Sequence, residues 1–78
     1  MIIGFVLIST EPTKEYDVYQ GLLKVPEIIY LHPILGEYDL IAKIEAKDFI
    51  ALGEIVINKI RSIHGVTDTR TLTGTRRL

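Results

Sequence analysis

The chain presents six periodic segments in the order extended, helical, extended, extended, helical, extended, and that order leaves few folds open. Ile2 to Ser9 is apolar at nearly every position and rich in β-branched residues, the pattern of a central strand covered on both faces. Thr10-Glu11-Pro12-Thr13 breaks the strand, and Thr13 is suited to cap the helix that follows. From Lys14 to Lys24, Val18, Tyr19, Leu22 and Leu23 recur at helical spacing, and Gly21 reads as a place of close packing against the sheet. Pro26 ends this helix. Glu27 to Ile34 is a second strand, which Pro33 assigns to an edge or a strand end. Gly36-Glu37 then sits where a two-residue type II′ hairpin loop would sit. In the third strand Tyr38, Leu40, Ala42, Ile44 and Ala46 alternate with Asp39, Lys43 and Glu45, Ile41 being the one exception on the polar face. Asp48 is the expected N-cap of a second helix, with Phe49, Leu52, Gly53, Val56, Ile60 and Ile63 on one face, widened by Ile50 and Ile57. Gly65 closes it, and Val66 to Gly74, with a threonine at every second position, is polar enough to be the other edge. Arg76 and Arg77 read as a solvated tail.

Two right-handed split βαβ units in this order give a ferredoxin-like α+β fold: a four-stranded antiparallel sheet with both helices on one face. The first and third strands become central. A chain of 78 residues buries only about 60% of its unfolded surface on folding. Yet 47% of the residues are hydrophobic, thirteen of them isoleucine, and the mean hydropathy is +0.28. That is more apolar material than one small core needs. The surplus is expected on the helix-free face, where two sheets can pack face to face.

Composition removes several function classes. A net charge of −1 provides no basic footprint for nucleic acid. Cysteine is absent, which excludes disulfides and thiolate chemistry. The apolar opening is far too short to span a bilayer and lacks the flanks of a secretion signal, so the expected location is the cytoplasm. Asn58 and Gln20 are the only side-chain amides, a scarcity that points to a thermophile. His32 and His64 lack metal-ligand spacing, and no glycine-rich phosphate loop is present, so neither metal nor cofactor is expected. Ser9 and Ser62 have no nearby base in sequence. Acid–base chemistry is open to one pair, His32 and Asp39, which a hairpin turn could bring close.

Three stretches carry a family resemblance: Leu23-Lys24-Val25-Pro26-Glu27-Ile28, Gly36-Glu37-Tyr38-Asp39-Leu40, and Ile63-His64-Gly65-Val66-Thr67-Asp68-Thr69-Arg70-Thr71. In order and spacing they resemble the effector-binding (RAM) domain of the Lrp/AsnC family of regulators, over almost the whole chain, residues 1–78 forming one such domain. The resemblance implies a ferredoxin-like domain that dimerises through its sheets as a dimeric α+β barrel. It further implies that dimers join into rings, commonly octamers, with amino acids or related effectors bound where dimers meet. Carried over, it puts Gly36, Tyr38 and Asp39 on one side of the pocket and Thr71, Leu72 and Thr73 on the other. Asp39 would hold the ligand's ammonium by a charge-assisted bond, and backbone amides near Gly36 would approach its carboxylate. Family members carry a helix-turn-helix domain ahead of this one, whereas Met1 here leads directly into the first strand. The implied protein is a stand-alone effector sensor without direct DNA binding, acting through itself, full-length relatives or another partner. A small dimeric α+β barrel enzyme using His32 and Asp39 is the alternative.

Overall fold

The computed structural model describes residues 1–74. Its elements are β1 (Ile2–Thr10), α1 (Glu15–Leu22), β2 (Ile28–Pro33), β3 (Leu40–Ala46), α2 (Phe49–Ile55), a π-helical segment (Val56–Ile60) and β4 (Val66–Thr73). The strands form one antiparallel sheet in the order β2-β3-β1-β4, so β1 and β3 are central and the fold is ferredoxin-like as expected. Arg76 and Arg77 lie outside the described residues.

Strand alternation divides the sheet into two unlike faces. Val6 and Ile8 lie opposite Ala42 and Leu40, and with Ile44 they form the sheet side of the core. Val18 and Leu22 of α1, Leu52 and Ile55 of α2, and Val56 and Ile60 beyond it cover that side. Gly4 packs closely there: a Cβ would come within 2.8 Å of both Leu52 Cδ atoms, so Leu52 would have to shift. On the other face Ile3, Phe5 and Leu7 pair with Glu45, Lys43 and Ile41 and stay only half-buried. The Lys43 ammonium lies 5.9 Å from the centre of the Phe5 ring, close enough for a cation–π contact. The expectation that β1 is covered on both faces is therefore met on one face only within the chain. Ile41 is no exception to a polar face; it belongs to this second apolar one.

Four local expectations give way to tertiary demands. Thr13 does not cap α1: it takes φ +71°, and α1 begins at Glu15 after Lys14, with no side-chain cap. The chain reverses there in a turn closed by Lys14 N–H to Glu11 C=O (3.0 Å), while Glu11 N–H donates to Gly65 C=O (2.8 Å). The β2–β3 connection is not a two-residue turn. Its last paired residues are Pro33 and Leu40, and Ile34 N–H to Asp39 C=O (2.9 Å) closes a longer loop. Gly36 does adopt a positive φ, +133°. Gly21 faces Ile63, 3.4 Å from where its Cβ would be, and not the sheet. The fourth departure is in α2, where Asp48 caps as expected by accepting from Ala51 N–H (2.8 Å). However, Phe49, Ile50 and Ile57 are exposed and Ile55 is buried in their stead. Phe49, Ile50 and Ile55 all precede the π turn, which is marked by Arg61 N–H to Val56 C=O (2.8 Å) and keeps Val56 and Ile60 buried.

Candidate effector-binding site

Asp39 organises the loop between β2 and β3. Its N–H donates to Ile8 C=O (2.8 Å), tying it to the end of β1, while its C=O accepts from Ile34 N–H (2.9 Å) on the β2 side. Its Oδ2 accepts from Thr10 N–H (2.8 Å) and from Thr10 Oγ1–H (3.2 Å). The carboxylate is thus a clamp between the hairpin and β1. Oδ1 accepts nothing within the described chain and remains available. Tyr38 is half-buried, Gly36 is exposed, and Leu35 at the tip is fully exposed. The loop is pinned at its base, by Asp39 and Ile34, and its outer residues stand clear of the sheet.

Thr71, Leu72 and Thr73 lie at the end of the edge strand β4, paired with Val6, Phe5 and Gly4, and all three are exposed. By register Leu72 shares the helix-free face with Phe5, while Thr71 and Thr73 point to the opposite side. Leu40 is paired with Ile8, so Asp39 lies one residue further along, beside Ser9 and Thr10. The two groups are therefore about 10–17 Å apart along β1 and roughly two strand spacings, about 10 Å, apart across the sheet. One chain does not bring them together around a single amino acid.

His32 lies on the helix-free face opposite Ile41. It stacks on Tyr30 at 6.0 Å between ring centres, 13° between planes, and its Nδ1 donates to Pro33 C=O (2.6 Å). His32 and Asp39 make no hydrogen bond to each other; each is engaged elsewhere. Ser62 Oγ donates to Asn58 C=O (2.6 Å), a helix-end bond. Among the described residues, no group of three or more His, Asp and Glu side chains could hold a metal, and no helix is long and apolar enough to cross a membrane.

Sequence reasoning missed a feature beside the hairpin. Tyr16 and Tyr19 of α1 face Pro33 and Leu40 across a cleft of about 370 Å³, with Glu15 at its rim. The available signal was Tyr16, a large aromatic on the outer side of α1 that helical spacing leaves outside the core; it is 72% exposed. A larger cleft lies at the other end of the sheet.

The topology and its two unlike sheet faces define a ferredoxin-like α+β domain. The chain belongs to the Lrp/AsnC family: the family model described as the Lrp/AsnC ligand binding domain matches residues 3–78. An uncharacterised HTH-type transcriptional regulator of Pyrococcus abyssi is 37% identical over 72 residues, 88% of this chain and 48% of that protein. The structure of TTHA0845 from Thermus thermophilus matches with a TM-score of 0.93 at 31% identity, covering 100% of this chain and 98% of that one. The transcriptional regulator NMB0573 of Neisseria meningitidis, solved as a complex with L-Met, shares the fold with a TM-score of 0.82 at 21% identity, covering 99% of this chain and 51% of that one. The chain spans about half the length of the curated relatives it matches.

Proposed function

We propose that this chain is an amino-acid sensor that assembles with itself and takes its ligand between two copies. The observation that carries the reading is the separation of the two family segments. Gly36, Tyr38 and Asp39 stand at one end of β1, and Thr71, Leu72 and Thr73 stand beyond its middle on the far side. A site using both draws the hairpin from one copy and the strand end from another. Asp39 Oδ1, left open by the Thr10 clamp, is the partner for an ammonium. The L-Met bound to the Neisseria regulator supports an amino acid as the ligand class. The half-buried Ile3, Phe5, Leu7 and Ile41, with Leu72 51% exposed, support pairing of helix-free faces into dimers, which then form rings, octamers among them.

Binding, not catalysis, is supported by the regulators among the relatives and by the separate engagements of His32 and Asp39. The near-neutral charge supports action through full-length family members or other partners and not through direct DNA contact. Residues 1–78 act as one ligand-binding unit in this reading. A thermal-shift screen of the twenty amino acids followed by calorimetry tests it. A ligand at 100 times its Kd adds about 2.7 kcal/mol of stability, and at least one amino acid should do so. If none shifts the melt and light scattering shows a monomer, the proposal fails.

A further inference from the structure

β4 is an edge strand, and the main-chain groups on its outer side meet no other described strand. Register shows which groups these are. Gly74 N–H donates to Ile3 C=O (3.3 Å), so in the β1–β4 ladder Leu72 with Phe5, Arg70 with Leu7 and Asp68 with Ser9 are the hydrogen-bonded pairs. The alternation along β1 agrees, since Ile8 C=O and Thr10 N–H turn the other way, to Asp39. Thr69, Thr71 and Thr73 fall between the bonded pairs, and their N–H and C=O groups point away from the sheet. The register shift between Ser9 and Thr10 ends this regular stretch. The other edge, β2, is interrupted by Pro33 and by a shift between Ile28 and Tyr30, whereas β4 carries neither proline nor lysine. The β4 edge is open to a further strand.

Read antiparallel to itself about Thr69, the sequence of β4 is its own complement. Thr69 then faces Thr69 of a second copy, Asp68 faces its Arg70, and Arg70 faces its Asp68. Thr67 meets its Thr71, and Val66 its Leu72. The two charged pairs fall at non-hydrogen-bonded positions, where opposed residues approach to about 4.5 Å between Cα atoms. Asp68 and Arg70 are exposed, and neither forms a salt bridge among the described residues. The neighbouring registers match less well. Centring between Thr69 and Arg70 sets outward-facing threonines against residues already bonded to β1. Centring on Asp68 or on Arg70 puts like charges face to face, which is destabilising. Centring on Thr71 leaves Arg70 against Leu72 and Asp68 against Gly74.

We infer that the β4 edge is an interface for the β4 edge of a second copy, paired antiparallel about Thr69 across a two-fold axis. The result is one continuous sheet of eight strands, four from each copy. The two Thr69 residues exchange both main-chain bonds on the axis, and the Asp68–Arg70 pairs flank them. This contact is distinct from the pairing of helix-free faces; where those faces also pair, it joins dimers by a second two-fold. It uses the main chain of the threonines and leaves the hydroxyls of Thr71 and Thr73 free, so it does not rest on the amino-acid reading.

The test is amide hydrogen exchange by NMR on the whole chain with no ligand added. In a lone chain the Leu72 amide is bonded to β1 while the Thr69 and Thr71 amides are open to water, so their contrast is the readout. In the paired protein Thr69 and Thr71 should exchange as slowly as Leu72. Asp68→Arg and Arg70→Asp each turn two attractive pairs into two repulsive ones. Either should speed exchange at Thr69 and Thr71 about tenfold or more at a fixed protomer concentration, with Leu72 still slow as the sign of an intact fold. An equal mixture of the two variants restores opposite charges across the axis and should restore slow exchange, as should the double variant Asp68→Arg/Arg70→Asp. Fast exchange at Thr69 and Thr71 in the parent would overturn the inference. So would slow exchange that survives both single reversals, or a mixture of folded variants that stays fast. None of these results bears on the amino-acid screen, so the two readings fail separately.

Discussion

Replacing Asp39 by alanine removes the acceptor that Thr10 N–H and Thr10 Oγ1–H share, at 2.8 and 3.2 Å. Hydrogen bonds to a charged group contribute about 1.5–3 kcal/mol each. Both residues are only half-buried, so the hydroxyl can turn to water and its bond counts for little. The backbone bond is different, since losing it strands an N–H at the end of a central strand. We expect Asp39→Ala to cost about 2–3 kcal/mol. Asp39→Asn, whose amide oxygen can still accept from Thr10 N–H, should cost about 1 kcal/mol, because a neutral bond has roughly half the strength of a charged one. Thr10→Val removes only the hydroxyl and should cost under about 1 kcal/mol. Urea unfolding at one fixed protomer concentration reads all three, and the Asp39→Ala/Thr10→Val double mutant should be less destabilised than the sum of the singles. An Asp39→Ala protein within about 0.5 kcal/mol of the parent, a change ordinary for surface positions, would show that the clamp carries no stability.

Three further outcomes follow from local geometry. Gly65→Ala places a side chain at φ +104° with its Cβ 2.9 Å from Val18 Cγ2 and 3.0 Å from Lys14 Cβ, so backbone strain and overpacking add; urea unfolding should show a loss of about 2–5 kcal/mol. Gly4→Ala drives a Cβ into Leu52 and should cost about 1–3 kcal/mol by the same assay, with partial recovery in the Gly4→Ala/Leu52→Val double mutant. The hydrogen bond from Lys59 holds the Glu27 carboxyl below its ordinary 4.5. Because its folded value is depressed, its stabilising effect is present above 4.5 and is lost as pH falls through the lower folded value. As pH falls from 4.5 through that value, the melting temperature should drop more steeply for the parent than for Lys59→Met, and parallel decline would count against the pair.

The element order and the division into central and edge strands were legible because alternation and helical spacing report burial directly. Asp48 as a cap was legible for the same reason: the bond it makes is local, to Ala51. What sequence concealed depends on residues far apart in the chain. Asp39 also bonds across to Ile8 and Thr10 of β1, which no local turn rule anticipates. Thr13 gives up its capping geometry to a turn whose neighbour, Glu11, bonds to Gly65. Helical spacing did not separate Ile55, which is buried, from Phe49, which is exposed, because the packing of α2 on the sheet decides which flank of the stripe is covered. At the candidate site the residue types were legible, but their separation within one chain was not, because it follows from the register of β1 with β4.

The claim that the ligand lies between two copies is tested most directly by mixing two defective variants. Asp39→Asn impairs the hairpin side, and a Thr71→Val/Thr73→Val variant impairs the strand side. Each alone should bind the identified amino acid poorly in calorimetry. Unfolded together and refolded as mixed oligomers in equal amounts, they should recover about a quarter of the sites at parental affinity, since each intact side occurs with even odds and a closed symmetric assembly pairs them at random. No recovery from two folded variants, or full binding by either one alone, would contradict a site shared between chains.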